Sequence, residues 1–243
     1  MTSHWLIFFR AFPLAALLAT TLVAGTVTGK VELRDSRDPA VRNHRDYSGA
    51  VISLTPMQGE TELTPSTKHA VILQKNKTFS PHVLAIPVGS YVDFPNLDPI
   101  FHNAFSSYSG QLFDVGLYPP GTSRSVRFIR EGVVRVFCNI HSSMSAMIVV
   151  LATPYFAVTK HDGSFTLPDV PPGDYKLGVI HERSSEVTLR SLTRWITVGP
   201  DALTLPVLGI SEVGYLSIPH KNKYGQSYPP DSDDHLMYPA TRN

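Results

Sequence analysis

The 243-residue chain has one cysteine, Cys138, and sets 21 Lys+Arg against 20 Asp+Glu. A lone cysteine forms no disulfide within the chain, so cohesion has to come from packed apolar residues. The balanced charge provides no basic face for nucleic acid or for an anionic membrane surface. Convincing helical periodicity is also missing, and 20 prolines favour strands and turns. Beyond the N-terminus no apolar run is long enough to span a bilayer. No Ser–His–Asp set or carboxylate pair stands at a spacing that argues for catalysis, so an enzyme is not expected. What is present, 42% hydrophobic and 17% charged residues, fits a globular chain rather than a disordered one.

From Trp5 through Ala24 almost every residue is apolar or small, apart from Arg10, Thr20 and Thr21. Residues 11–19 form an h-region, and Leu22-Val23-Ala24 offers small residues for cleavage. Residues 1–24 are therefore expected to be a signal peptide, and the mature chain to be periplasmic or secreted with no membrane span. The alternative is an uncleaved anchor, against which Pro13 and Arg10 both argue. In an oxidising compartment an unpaired thiol is a liability unless it has a job. The plain alternative is a buried, inert cysteine.

Period-2 alternation and Gly/Pro turns predict strands over 26–33, 48–56, 70–74, 83–88, 91–94, 125–129, 133–137, 146–151, 164–167, 175–180 and 203–210. The fully apolar 146–151 is expected in the interior. Residues 34–46 read as a loop and 57–67 as a linker. Asp162-Gly163 reads as a hairpin turn, and 181–198 as two strands rather than a helix. Beyond Val213 the Pro, Asp, Tyr, Lys and Asn content predicts a flexible tail over 213–243. The fold class is all-β, of sandwich type.

Within this frame Cys138-Asn139-Ile140-His141-Ser142-Ser143-Met144 stands out. Thiolate and thioether are soft donors and imidazole suits copper, so one further histidine completes the His₂Cys set with an axial Met of a blue-copper centre. His102, in Asp98-Pro99-Ile100-Phe101-His102-Asn103, offers it. Cys138 would end one strand and Met144 would precede the next. Zinc fits less well, since thioethers are poor zinc ligands. A cysteine paired with a histidine as nucleophile and base is the other alternative. His82 is read as an outward-facing strand residue, with a role as extra ligand or gate as its alternative. The histidines at 44, 69, 161, 181, 220 and 235 have no ligand spacing and no assigned role.

Residues 67–152 resemble a cupredoxin, the family of plastocyanin and amicyanin. The likeness rests on the Cys138-x-x-His141-x-x-Met144 loop, Phe79-Ser80-Pro81, Val88-Gly89-Ser90-Tyr91-Val92 and Asn96-x-Asp98-x-x-x-His102-Asn103. It implies one type 1 copper held by His102, Cys138, His141 and Met144. It also implies that Asn103 ties the two ligand loops together. Val134 departs from the family, which often has an aromatic there. The flanks are similar to a carboxypeptidase regulatory-like β-sandwich, through Gly25-Thr26-Val27-Thr28-Gly29-Lys30-Val31, Gly49-Ala50-Val51-Ile52-Ser53-Leu54 and Asp162 to Leu177. The cupredoxin is expected either as an insertion between residues 25–66 and 153–212 or in tandem with them. The function implied is transfer of single electrons between redox proteins such as a cytochrome or an oxidoreductase. The alternatives are a copper chaperone or storage module, and an adhesive sandwich with a vestigial site.

Overall fold

The computed structural model describes residues 24–57, 66–107, 110–216 and 219–229. Apart from Ala24, the expected signal segment lies outside them. The described chain is mostly strand. In order it runs β1 (Gly25–Arg34), α1 (Pro39–His44), β2 (Val51–Pro56), β3 (His69–Val71), β4 (Leu73–Lys75) and β5 (Thr78–Ser80). There follow β6 (Val83–Pro87), β7 (Tyr91–Pro95), β8 (Phe105–Ser106), β9 (Phe113–Asp114), β10 (Ser123–Arg127), β11 (Gly132–Phe137) and β12 (Ser145–Leu151). The last part holds β13 (Phe156–Val158), β14 (Ser164–Val170), β15 (Gly173–Ile180), α2 (Glu186–Leu192), β16 (Arg194–Val198), β17 (Leu203–Thr204) and β18 (Leu208–Ser211).

Both helices correct the sequence reading. Residues 39–44, read as loop, form α1, because Asp38 caps it by accepting from Ala40 N at 2.8 Å and Pro39 fills the first turn. Residues 186–192, read as strand, form α2, capped by Ser185 accepting from Thr188 N at 3.2 Å. No residue of α2 is buried, which is why its apolar periodicity was too weak to read. The turn at Asp162-Gly163 forms as predicted, with Lys160 N donating to Ser164 O at 2.9 Å. Its flanking strands nevertheless part: β13 pairs with β2 and β14 with β1.

Strands before residue 57 pair with strands after residue 155. β1 lies between β14 and β17 and also pairs with β18, while another sheet runs β13-β2-β15-β16. Their inward faces enclose one core that includes Val27, Val31, Leu54, Leu167, Leu177 and Ile210. The stretch between folds on itself as sheets β10-β7-β3, β6-β12-β11-β8-β9 and β4-β5 around a second core.

β12 joins the two, because alternate side chains of a strand face opposite ways. Ala146, Ile148 and Val150 enter the second core, while Met147, Val149 and Leu151 pack with Val51, Phe156, Val158 and Ile180. The interior position expected for 146–151 holds on both faces. Val134 is fully buried in the second core.

Candidate metal centre

β11 ends at Phe137 and β12 starts at Ser145, and these two residues pair directly. The seven residues between therefore leave and re-enter one antiparallel pair. Cys138 N donates to Met144 O at 3.2 Å and Met144 N to His141 O at 3.2 Å, which closes the loop from inside. His102 is placed by a separate bridge to Tyr118: His102 N donates to Tyr118 O at 3.2 Å and Tyr118 N to His102 O at 2.9 Å.

These supports bring together three of the four predicted ligands. His102 Nδ1 and His141 Nδ1 stand 3.1 Å apart, and Cys138 Sγ is 3.5 Å from the latter and 4.0 Å from the former. The point equidistant from the three atoms lies about 2.1 Å from each. That is the length of a metal–imidazole bond and slightly short of the metal–thiolate value of about 2.3 Å. His102 and Cys138 are fully buried and His141 half-buried. The three form the only cluster of at least three His, Cys, Asp or Glu donors of this kind among the described residues. Met144 is fully buried in the same core as Cys138.

The surroundings suit a metal with soft and nitrogen donors. His102 Nε2 donates to Asp98 Oδ2 at 2.8 Å, which leaves the Nδ1 lone pair facing the sulfur. Burial lowers the His102 pKa although Asp98 pulls it the other way, which favours the neutral ring that a metal binds. Burial also raises the Cys138 thiol pKa, against the backbone N–H groups of Ile140, Asn103 and His141 that face the sulfur. Those N–H groups favour thiolate, the form a metal binds.

Asn103 differs in detail from the expectation. Its side chain donates to Asp114 Oδ1 at 2.7 Å and Gly116 O at 2.9 Å, and only its backbone N–H reaches the 138–144 loop, at the sulfur. His82 lies outside the cluster. It contacts Ser145 O through Nδ1 at 3.0 Å and Glu182 Oε2 through Nε2 at 2.6 Å, and its side chain is half exposed.

Three features went unassigned in the sequence. Asp98 orients His102, and the i, i+4 spacing of the pair was its one visible sign. Gln74 is fully buried with both amide atoms unpartnered. It faces the Tyr118 hydroxyl, which donates to Phe94 O at 2.9 Å. Finally, residues 219–229, expected to be part of a flexible tail, lie against the 138–144 loop. Tyr228 Oη donates to Cys138 O at 2.7 Å, and the His220 ring stacks on Phe137 at 4.1 Å.

No family model and no curated protein matches the chain. Among solved structures it is similar to a purple cupredoxin from Nitrosopumilus maritimus, with 28% identity over 34% of this chain and 99% of that one, TM-score 0.32. A copper-containing nitrite reductase from Thermus scotoductus SA-01 matches at 23% identity over 50% of this chain and 28% of that one, TM-score 0.33. A reduced amicyanin mutant matches at 16% identity over 41% of this chain and 98% of that one, TM-score 0.33.

Proposed function

We propose that this chain is an exported type 1 copper protein, not an enzyme, that binds one copper and carries single electrons between redox proteins such as a cytochrome or an oxidoreductase. The observation that carries this reading is the buried triangle of His102 Nδ1, His141 Nδ1 and Cys138 Sγ, sized for one metal ion. Met144 is assigned as the weak axial ligand, and Asn103 as a support of the sulfur through its backbone. A trigonal His₂Cys set with a thioether nearby suits copper better than zinc, which prefers a closed tetrahedral set of harder donors. Copper supplies a one-electron couple whose two states favour different ligands.

The chain's part is to keep the donors still. Asp98 fixes the His102 tautomer, and the backbone N–H groups around Cys138 favour the thiolate that a metal binds, against a burial that raises the thiol pKa. The Cys138–Met144 hydrogen bond fixes the loop span. His141 reaches towards solvent and is the electron port, while exposed Leu97 and Leu117 beside the His102 loop offer apolar contact for a weakly bound partner. Among the described residues no helix is long and apolar enough to cross a membrane. The export assignment rests on the sequence of residues 1–24.

The test is spectroscopic. Protein loaded with one equivalent of Cu(II) is expected to show an intense thiolate-to-copper band in the visible. Cys138→Ser abolishes the band and His82→Ala leaves it intact. A loaded protein without the band is a storage or chaperone module, and the electron-transfer reading falls.

We also propose that residues 25–66 and 153–212 form one regulatory-like sandwich into which the copper unit, 67–152, is inserted. The pairing of β1 with β14 and of β2 with β13 and β15 supports this. A fragment of residues 153–243 that folded alone with native-like dispersion would refute it.

A further inference from the structure

Residues 219–229 have no place in either sandwich, yet they bind the metal loop on the side of Cys138. The segment is a preformed turn bracketed by Pro219 and Pro229. Asn222 N donates to Gln226 O at 2.9 Å and Gly225 N to Asn222 O at 2.9 Å. Asn222 Oδ1 accepts from Tyr224 N and from Gln226 N, both at 3.0 Å. Gly225 takes φ +75°, a value that favours glycine.

This turn reaches the loop at successive points. His220 stacks on Phe137, the residue before the cysteine, at 4.1 Å and 27°. Tyr228 Oη donates to Cys138 O at 2.7 Å and lies 3.1 Å from His220 Nδ1, so the two side chains brace each other. Lys223 N donates to Asn139 Oδ1 at 2.9 Å. The His220 ring also faces the Ser142 backbone. Outside the loop, Lys223 Nζ pairs with Asp114 Oδ2 at 2.7 Å, and Asp114 is the acceptor of Asn103 Nδ2. The segment thus touches the 138–144 loop directly and is tied through Asp114 to Asn103, the residue after His102.

We propose that residues 219–229 are a clasp that fixes the geometry of the metal loop, with Tyr228 and His220 as positioning residues for Cys138. The inference deepens the copper reading in naming its consequence for the metal, but the clasp itself is a property of the chain without metal. The metal loop has no disulfide, and two backbone–backbone hydrogen bonds close it from within. A donor on the carbonyl of Cys138 also draws electron density from the residue that would hold the metal, which disfavours the more positive oxidised state.

The test uses the full chain and Tyr228→Phe, which removes the hydroxyl and keeps the ring. Ser227→Ala serves as control, since Ser227 is on the same segment but exposed. In metal-free protein, amide hydrogen exchange at residues 138–143 is expected to speed up roughly two- to tenfold in Tyr228→Phe, the span of one hydrogen bond. Exchange in β1 and β14 stays unchanged, as does the control. In copper-loaded protein the reduction potential falls, by less than the roughly 59 mV of a tenfold change for one electron, and the visible band shifts. His220→Ala, which removes the stack, gives the same pattern and decides the matter if Tyr228→Phe does not fold.

Exchange at 138–143 equal to wild type in both variants overturns the clasp, whatever the metal does. Faster exchange with an unmoved potential and band overturns the positioning role. A wild-type protein with no visible band overturns the copper reading instead, and the metal-free exchange still decides the clasp.

Discussion

Asp98 offers a sharp test of how the site is held. Asp98 is 7% exposed and its carboxylate accepts three hydrogen bonds: Asn76 N on Oδ1 at 2.6 Å, and Lys77 N at 2.9 Å and His102 Nε2 at 2.8 Å on Oδ2. Asn76 and Lys77 both take φ +53° in the turn between β4 and β5, so the carboxylate staples an unusual turn to a ligand. Burial works to raise its pKa, but the Lys77 N–H, His102 and the Asn76 N–H outweigh that and lower it. Asp98→Asn keeps the shape but places an NH₂ group where an acceptor stood. If the NH₂ faces His102, the ring loses its acceptor and its preferred tautomer. If it faces Asn76 N, the turn loses its staple and the remaining bond to His102 becomes neutral. Removing such a support costs about 10- to 100-fold in metal affinity, or about 1.4–2.7 kcal/mol. Competition with a chelator of known affinity measures it, and denaturant unfolding of metal-free protein provides the companion value. Binding within twofold of wild type alongside a clear loss of metal-free stability would show that Asp98 serves the turn and not the ligand.

Two further outcomes are expected. His181 is 4% exposed, and burial followed by the nearby Arg183 lowers its pKa to about 4. The unfolded chain takes up this proton from about pH 6.5 downwards while the native chain does not. The stabilisation is therefore complete above pH 6.5 and declines by about 3 kcal/mol as pH falls towards 4. His181→Leu should flatten that part of the urea stability profile, and profiles that fall in parallel would disprove the assignment. Gln74 is fully buried and its close polar neighbour is the Tyr118 hydroxyl, with no well-formed hydrogen bond, so Gln74→Met is expected to stabilise the metal-free protein by about 1 kcal/mol. A lower urea midpoint would mean that the amide has a partner, such as a bound water.

The loop was legible because its chemistry is local. Cys138, His141 and Met144 sit at fixed spacing between two strands whose alternation shows directly in the sequence. His102 could be added because it completes a set of four donors with Cys138, His141 and Met144. Asp98 stayed hidden because its role depends on a turn some twenty residues upstream, which no periodicity signals. α1 has one buried residue, Val41, and α2 has none, so neither left an apolar stripe. The strands flanking Asp162-Gly163 part because β1 and β2 present edges elsewhere, a tertiary fact. Residues 219–229 looked like a tail because short polar turns held by a distant partner have no internal signature. Their partners, Cys138 and Asn139, lie more than eighty residues away.

β12 shows how the candidate site is mechanically linked to both cores. Its first residue follows Met144 directly, and its two faces belong to different cores. Sliding β12 by one residue would exchange those faces, driving Met147, Val149 and Leu151 into the core of Cys138. Both cores therefore lock one register. The pairing of Ser145 with Phe137 passes that register to the ends of the ligand loop. His82 adds a polar tie at the same place, joining Ser145 O to Glu182 just beyond β15. Glu182 in turn accepts from Arg135 of β11 at 3.0 Å. The loop is thus joined to a strand shared between two cores and is contacted by the 219–229 turn. A chain with no disulfide can in this way hold a thiol and two imidazoles at metal-binding separation.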